Sequence, residues 1–186
     1  MKKEAIKMYY ATQYSSPMGE ITITSDGENL SGVWFEGQKY FYGTLTEEPV
    51  KNDNIPVLET TRKWLDNYFA GKKPKKSELP LAPIGGEFRQ SVWKILCEIP
   101  YGSVMTYSEI AKKIALEKGI ERMSAQAVGG AVGNNPISII IPCHRVVGSN
   151  GSFTGYAGGI QKKISLLTME GVDTSQYFIP KKGTAL

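Results

Sequence analysis

The stretch Ile139-Ile140-Ile141-Pro142-Cys143-His144-Arg145-Val146-Val147 holds the only histidine of a 186-residue chain, directly after one of its two cysteines. An apolar β-branched run reads as a buried strand, and neighbouring side chains on a strand point to opposite faces. Cys143 and His144 can therefore act together only if the backbone turns beneath them, and Pro142 gives it a reason to turn. A thiol reacts as its thiolate, and a neighbouring imidazole brings that form within reach of neutral pH. Cys143 is accordingly a candidate nucleophile and His144 a candidate base. A buried cysteine beside an ordinary histidine is the competing reading.

Upstream, Thr106 and Glu109 have capping-box spacing. They open a helix through Tyr107, Ile110, Ala111 and Ile114 that stops at Gly119. A second short helix is expected from about Arg122 to Val132, and two such helices about a glycine turn fit a helix-turn-helix. Ser124, Ala125, Ala127, Gly129, Gly130 and Ala131 leave this second helix almost without side-chain bulk. Each glycine costs a helix about 0.8–1 kcal/mol relative to alanine. Either the helix packs tightly against its neighbours, or its backbone comes close to something outside, such as a nucleic-acid groove. Before it, Phe88, Val92, Trp93, Ile95, Leu96 and Ile99 form an amphipathic helix, with Cys97 expected as an inert core thiol.

The first third reads as a small β-meander and a helix. Glu20–Thr24 alternates, Asp26-Gly27 is a hairpin turn, and Ser31–Phe35 is a second strand. Val57, Thr61, Trp64, Leu65 and Tyr68 then share a helical face that ends at Gly71. Residues 71–86, with Lys72, Lys73, Lys75 and Lys76, read as a solvated interdomain connection with room for a short strand.

The chain is 41% hydrophobic and 22% charged, ordinary for a globular protein. No apolar run approaches the roughly 18 residues that span a bilayer, and no secretory signal is recognisable, so a cytoplasmic protein with free thiols and no membrane contact is expected. One histidine and two cysteines fall short of a convincing four-ligand structural zinc site, which would need carboxylates to complete it. The formal charge of +4 permits an anionic partner without requiring one.

Gly129-Gly130-Ala131-Val132-Gly133-Asn134-Asn135-Pro136-Ile137, then Ile141–Val146, then Gly155-Tyr156-Ala157-Gly158-Gly159 resemble one family, the methylated-DNA–protein-cysteine methyltransferases (O-6-alkylguanine-DNA alkyltransferases). Leu166-Leu167-Thr168-Met169-Glu170-Gly171 is similar to the family's closing helix, and Phe88–Tyr101 to the entry of its C-terminal domain. The likeness is strong over residues 85–172 and holds in outline before that.

The resemblance implies an α+β fold: a small N-terminal strand-rich, ribonuclease-H-like domain of structural role over 1–80, and a mostly helical DNA-binding and alkyl-acceptor domain with a winged-helix-like helix-turn-helix over 81–186. It implies direct-reversal repair by a monomer without cofactor or metal. The helix-turn-helix would bind duplex DNA from the minor-groove side, flip out O-6-alkylguanine and pass the alkyl group irreversibly to Cys143, with O-4-alkylthymine as a further substrate.

By the same resemblance His144 is the water-linked base, Glu170 the carboxylate that orients it, Asn135 the brace of the turn into the active-site strand, and Tyr107 the aid to the departing guanine. Tyr156, the Ala157 N–H, the Val146 carbonyl and the loop from Ser149 hold the base. Gln126, Ser108, Arg122 and Ala127 face DNA. Arg145 is expected in a structural ion pair. Gln126 stands where many members carry an arginine that fills the gap left by the flipped base, and Arg122, one turn earlier, is the candidate substitute for its charge. The connection Leu116–Glu121 is longer than in the family's shorter forms, and the N-terminal region lacks the Cys and His of the zinc site some relatives carry. Two other classes fit a Cys-His pair, a non-enzymatic sensor of alkylated guanine and a Cys-His hydrolase; Cys143 speaks against the first, and nothing else in the chain speaks for the second.

Overall fold

A computed structural model describes residues 7–181. Strands β1 (Tyr10–Ser16), β2 (Gly19–Ser25), β3 (Leu30–Phe35) and β4 (Val50–Lys51) form one sheet in the order β3-β2-β1-β4, antiparallel except for the β1–β4 pair. The β2–β3 turn is set by Asp26, whose Oδ1 accepts the backbone N–H groups of Glu28 and Asn29. Strands β1 and β4 add to the expected meander. Helix α1 (Pro56–Phe69) starts with proline in its first turn, where a missing N–H costs nothing. It buries the expected face together with Leu58.

The connection after α1 is more ordered than a solvated linker. Leu30 donates its N–H to Pro80 O at 2.8 Å and accepts from Ala82 N at 2.9 Å, so Leu81 runs parallel beside the sheet edge. Of its lysines, Lys72, Lys73 and Lys75 are exposed and Lys76 is half-buried.

The second half comprises α2 (Glu87–Glu98), β5 (Met105–Thr106), α3 (Tyr107–Lys118), α4 (Ala125–Gly133), β6 (Val146–Val147) and α5 (Ile160–Met169), with β5 and β6 parallel. Both halves of the Thr106/Glu109 capping box are made, and Gly119 closes α3 in the left-handed region at φ 62°. Helix α4 begins at the Ser124 cap, about three residues later than its composition suggests. Ser124 Oγ takes up the Ala127 N–H, which makes it a better start than Arg122. Arg122 consequently lies in the turn rather than on the helix. Trp93 Nε1 donates to Ala131 O and ties α2 to α4.

The Ile139–Ile141 run is not a strand. Only Ile137 keeps strand character, in a bridge to Val33 of β3. Beyond it the chain coils back, with Ile141 N–H bonded to Ile137 O and Ile139 at φ 71°. That conformation is rare for a β-branched residue and survives only where its surroundings impose it. Here Asn135 imposes it: its Nδ2 donates to Ile141 O at 2.8 Å and to Ile137 O at 3.3 Å. The main apolar core, from Ile21 and Val33 through Trp93 to Ile141 and Leu166, joins the sheet to the helices, and a smaller cluster gathers Val147, Phe153 and Leu167. Among the described residues no helix is long and apolar enough to cross a membrane.

Candidate active site

Cys143, His144 and Arg145 form a single 3-10 turn entered through Pro142. The backbone therefore turns where the two side chains need it to. Cys143 is 4% exposed, and its Sγ lies 3.1 Å from Asn135 Nδ2. Burial pushes its thiol pKa up, with the Asn135 amide and the Lys163 cation acting in the opposite sense. The resting group is thus a protonated thiol that requires a base.

His144 and Glu170, at the end of α5, are both buried, with Nε2 and Oε1 2.8 Å apart. Burial lowers the imidazole pKa despite the carboxylate beside it, so the ring is neutral near pH 7. A carboxylate only accepts, so Nε2 carries the ring hydrogen and Nδ1 is left as a free lone pair. Nδ1 is buried and has no hydrogen-bond partner in the protein.

Glu170 accepts five hydrogen bonds. Oε1 receives them from Tyr68 Oη at 2.6 Å, His144 Nε2 and Arg145 Nη2 at 2.9 Å. Oε2 receives Arg145 Nε at 2.8 Å and Gly102 N at 3.3 Å. Burial opposes the ionisation of Glu170, but the bonds from His144 and Arg145 outweigh it and hold the carboxyl well below the usual carboxylate range. Arg145 thus forms the expected ion pair, with Glu170, and also donates to Ile99 O at 2.7 Å.

Two residues of the site escaped the sequence reading. Tyr68 looked like one more core position of α1, yet its hydroxyl reaches Glu170 across 102 residues. Lys163, fully buried on α5, donates to Thr154 O at 2.7 Å. Burial lowers its pKa to about 8, partly offset by Cys143. A lysine at the fourth position of α5, on the face that also buries Leu166 and Leu167, was the only available signal. Tyr107 Oη donates to the same Thr154 carbonyl at 3.0 Å and lies 3.3 Å from Gly155 O. Burial pushes its pKa up to about 12, so it stays a proton carrier.

Two adjoining depressions share Gly129, Gly130 and Gly155 as a common ridge. One, of about 580 Å³, holds Tyr156 and Ala157. Tyr156 is buried there and its hydroxyl has no hydrogen-bond partner. The other, of about 750 Å³, brings together Tyr107, Ser108, Gln126 and Ser149. Ser149, expected beside Tyr156, is instead exposed on the Gln126 side, because the chain turns back on itself through the Gly148 N–H bond to Ser152 O. Arg122 lines a third hollow with Leu116 and Ile120 and is not grouped with Gln126. Ala127 is exposed on α4. Val146 is buried in the β5–β6 ladder opposite Met105. Cys97 is only half-buried, not enclosed as expected.

The helix glycines now have a physical account. A Cβ at Gly130 would meet nothing within 4 Å, and one at Gly129 would only touch the Tyr107 ring at 3.8 Å. Internal packing does not require them; they leave the outer face of α4 bare. Among the described residues no cluster of His, Cys, Asp and Glu could hold a metal.

Residues 87–172 match the family described as 6-O-methylguanine DNA methyltransferase, DNA binding domain, and residues 8–83 its ribonuclease-like domain. The chain is 42% identical over 163 residues to the methylated-DNA–protein-cysteine methyltransferase of Haemophilus influenzae, covering 88% of this chain and 87% of the relative. It is 46% identical over 165 residues to that of Methanosarcina acetivorans, covering 88% and 99%. The fold resembles the crystal structure of the Mycobacterium tuberculosis O-6-methylguanine methyltransferase, with a TM-score of 0.73, 36% identity, and 94% and 97% of the two chains covered. A structure of the mycobacterial protein in complex with DNA gives the same TM-score at 35% identity, covering 91% and 94%.

Proposed function

The chain belongs to the methylated-DNA–protein-cysteine methyltransferases, and from that premise we propose that Cys143 receives the alkyl group of an O-6-alkylguanine flipped out of duplex DNA. The observation that carries this reading is the buried row Cys143, His144, Glu170. The thiol needs a base, the neutral imidazole keeps Nδ1 free for it, and the carboxylate fixes the ring and stabilises the cation that forms.

In the reaction the thiol proton passes to His144 Nδ1 through a water. The S–C bond forms as the C–O bond breaks, and the electron pair stays on the guanine oxygen. The departing guanine takes up one proton, for which Tyr107 is the donor, recovering it from the imidazolium through solvent. The Ala157 N–H holds the guanine oxygen, Tyr156 walls the ring, and the Cys143 and Val146 carbonyls read the amino group. The thioether cannot revert, so each molecule reacts once.

DNA lies along the bare face of α4 and the Tyr107–Gln126–Ser149 groove. A minor groove about 6 Å wide admits a helix only where bulk is missing. Gln126 enters the space left by the flipped base, with Ser108 and Ala127 beside it. Arg122, off the helix, acts on phosphates and does not replace the missing charge. The helix-turn-helix with the β5–β6 ladder acts as a winged helix, the chain divides near residue 80, O-4-alkylthymine is a further substrate, and the protein works in the cytoplasm, where two free thiols persist.

A duplex with one O-6-methylguanine tests the reaction. Restored guanine should plateau at one per protein. Continued turnover would indicate a hydrolase, and binding without restoration a sensor.

A further inference from the structure

Tyr40 belongs to the strand-rich half, yet it lines the Tyr156–Ala157 cavity together with Lys39, across from Gly129 and Gly130. The loop that carries it is pinned. Gln38, buried, accepts the Phe35 N–H on its Oε1 at 2.8 Å, and Ser138 Oγ stands 3.5 Å from the same oxygen. Lys39 N–H donates to Ala157 O at 3.1 Å. On the far side Tyr42 packs edge-on against Trp34 at 5.4 Å, and Phe41 lies beside both rings.

Between these anchors Tyr40 is held at φ 61°, a left-handed conformation that an ordinary side chain rarely adopts and that Tyr42 shares at φ 55°. Its half-buried neighbours Phe41 and Tyr42 pack their rings against Trp34, whereas Tyr40 remains 49% exposed at the cavity, with Lys39 Nζ 5.3 Å from its ring centre. A core-filling role does not account for a strained, half-exposed aromatic.

We propose that Tyr40 is the outer wall of the alkyl pocket and limits the size of the group the protein accepts. The inference rests on the alkyl-transfer reading. There the Ala157 N–H holds the oxygen that bears the alkyl group, while the Ala157 carbonyl is tied to the residue before Tyr40. Tyr40 and Ala157 line the same cavity, so a bulky substituent that extends from that oxygen into the cavity meets Tyr40. The strand-rich half thus contributes to specificity as well as to folding.

Transfer rates from two otherwise identical duplexes, one with O-6-methylguanine and one with O-6-benzylguanine, test the proposal. Tyr40→Asn is the informative variant, because asparagine tolerates the left-handed region and removes the ring. It should raise the benzyl-to-methyl rate ratio about tenfold, the scale on which an apolar pocket discriminates bulk. Tyr40→Trp should lower the ratio, and Tyr40→Phe should leave it unchanged. A ratio equal to the parent's in both the Asn and Trp variants overturns the assignment of Tyr40 alone. A parent protein that takes up neither group overturns the alkyl-transfer reading and this proposal with it.

Discussion

His144 Nε2 stands 2.8 Å from Glu170 Oε1, in a pair with no exposed side-chain surface. The same carboxylate neutralises Arg145, so one buried charge serves both the fold and the base. Glu170→Gln leaves Arg145 buried without a counter-charge, a change that typically costs about 3–5 kcal/mol. Thermal melting at pH 7 should show that loss, together with slower alkyl transfer. The sign follows from the depressed pKa: the stabilisation is complete above about pH 4.3, the ordinary glutamate value, and fades as pH falls towards the folded one. Parent and variant should converge only in acid. Equal melting temperatures at pH 7 would contradict the network.

Lys163 predicts the opposite pH window. Its folded pKa, about 8, lies below the ordinary lysine value near 10.4. The folded protein therefore carries a penalty for the buried cation at neutral pH, and the penalty is relieved as pH rises from about 8 to about 10. Lys163→Met removes the titration. The melting temperature of the parent should gain on the variant across that interval, and a constant difference would show that Lys163 does not titrate there.

Gly130→Ala separates the two accounts of the small-residue helix. No atom lies within 4 Å of the added Cβ, so the substitution should stabilise the protein by about 1 kcal/mol through helix propensity. Duplex binding, measured by fluorescence anisotropy, should weaken several-fold at the same time. Unchanged binding would mean that this face of α4 does not meet DNA.

Gln126→Arg adds a charge to the groove that holds Tyr107 and Ser149. Repair of duplex DNA should accelerate more than reaction with free O-6-benzylguanine, because only the duplex leaves a gap to fill. Equal acceleration of both would place the effect elsewhere.

What was legible in the sequence is what is local. The Thr106/Glu109 box fixes a helix start within four residues, and the α1 face follows from its spacing alone. Strand β1 was missed because its residues, YATQYSS, lack apolar alternation; the sheet is finished by pairing with β2, which spacing cannot show. The isoleucine run was misread because three β-branched residues favour a strand, whereas one asparagine six positions away coils them. Cys143, His144, Glu170 and Asn135 are brought together by the fold as their motif implied. Tyr68 and Lys163 join them only through contacts across the fold, Tyr40 lines the neighbouring cavity, and no local pattern marks any of the three.

The central claim is that Cys143 is the acceptor and is consumed. Intact-protein mass spectrometry after incubation with excess O-6-methylguanine duplex, followed by peptide mapping, tests it directly. The predicted result is a gain of one methyl group per molecule, located on the peptide bearing Cys143 and absent in Cys143→Ala. A methyl group on Cys97, or restored guanine with no change in protein mass, would contradict it.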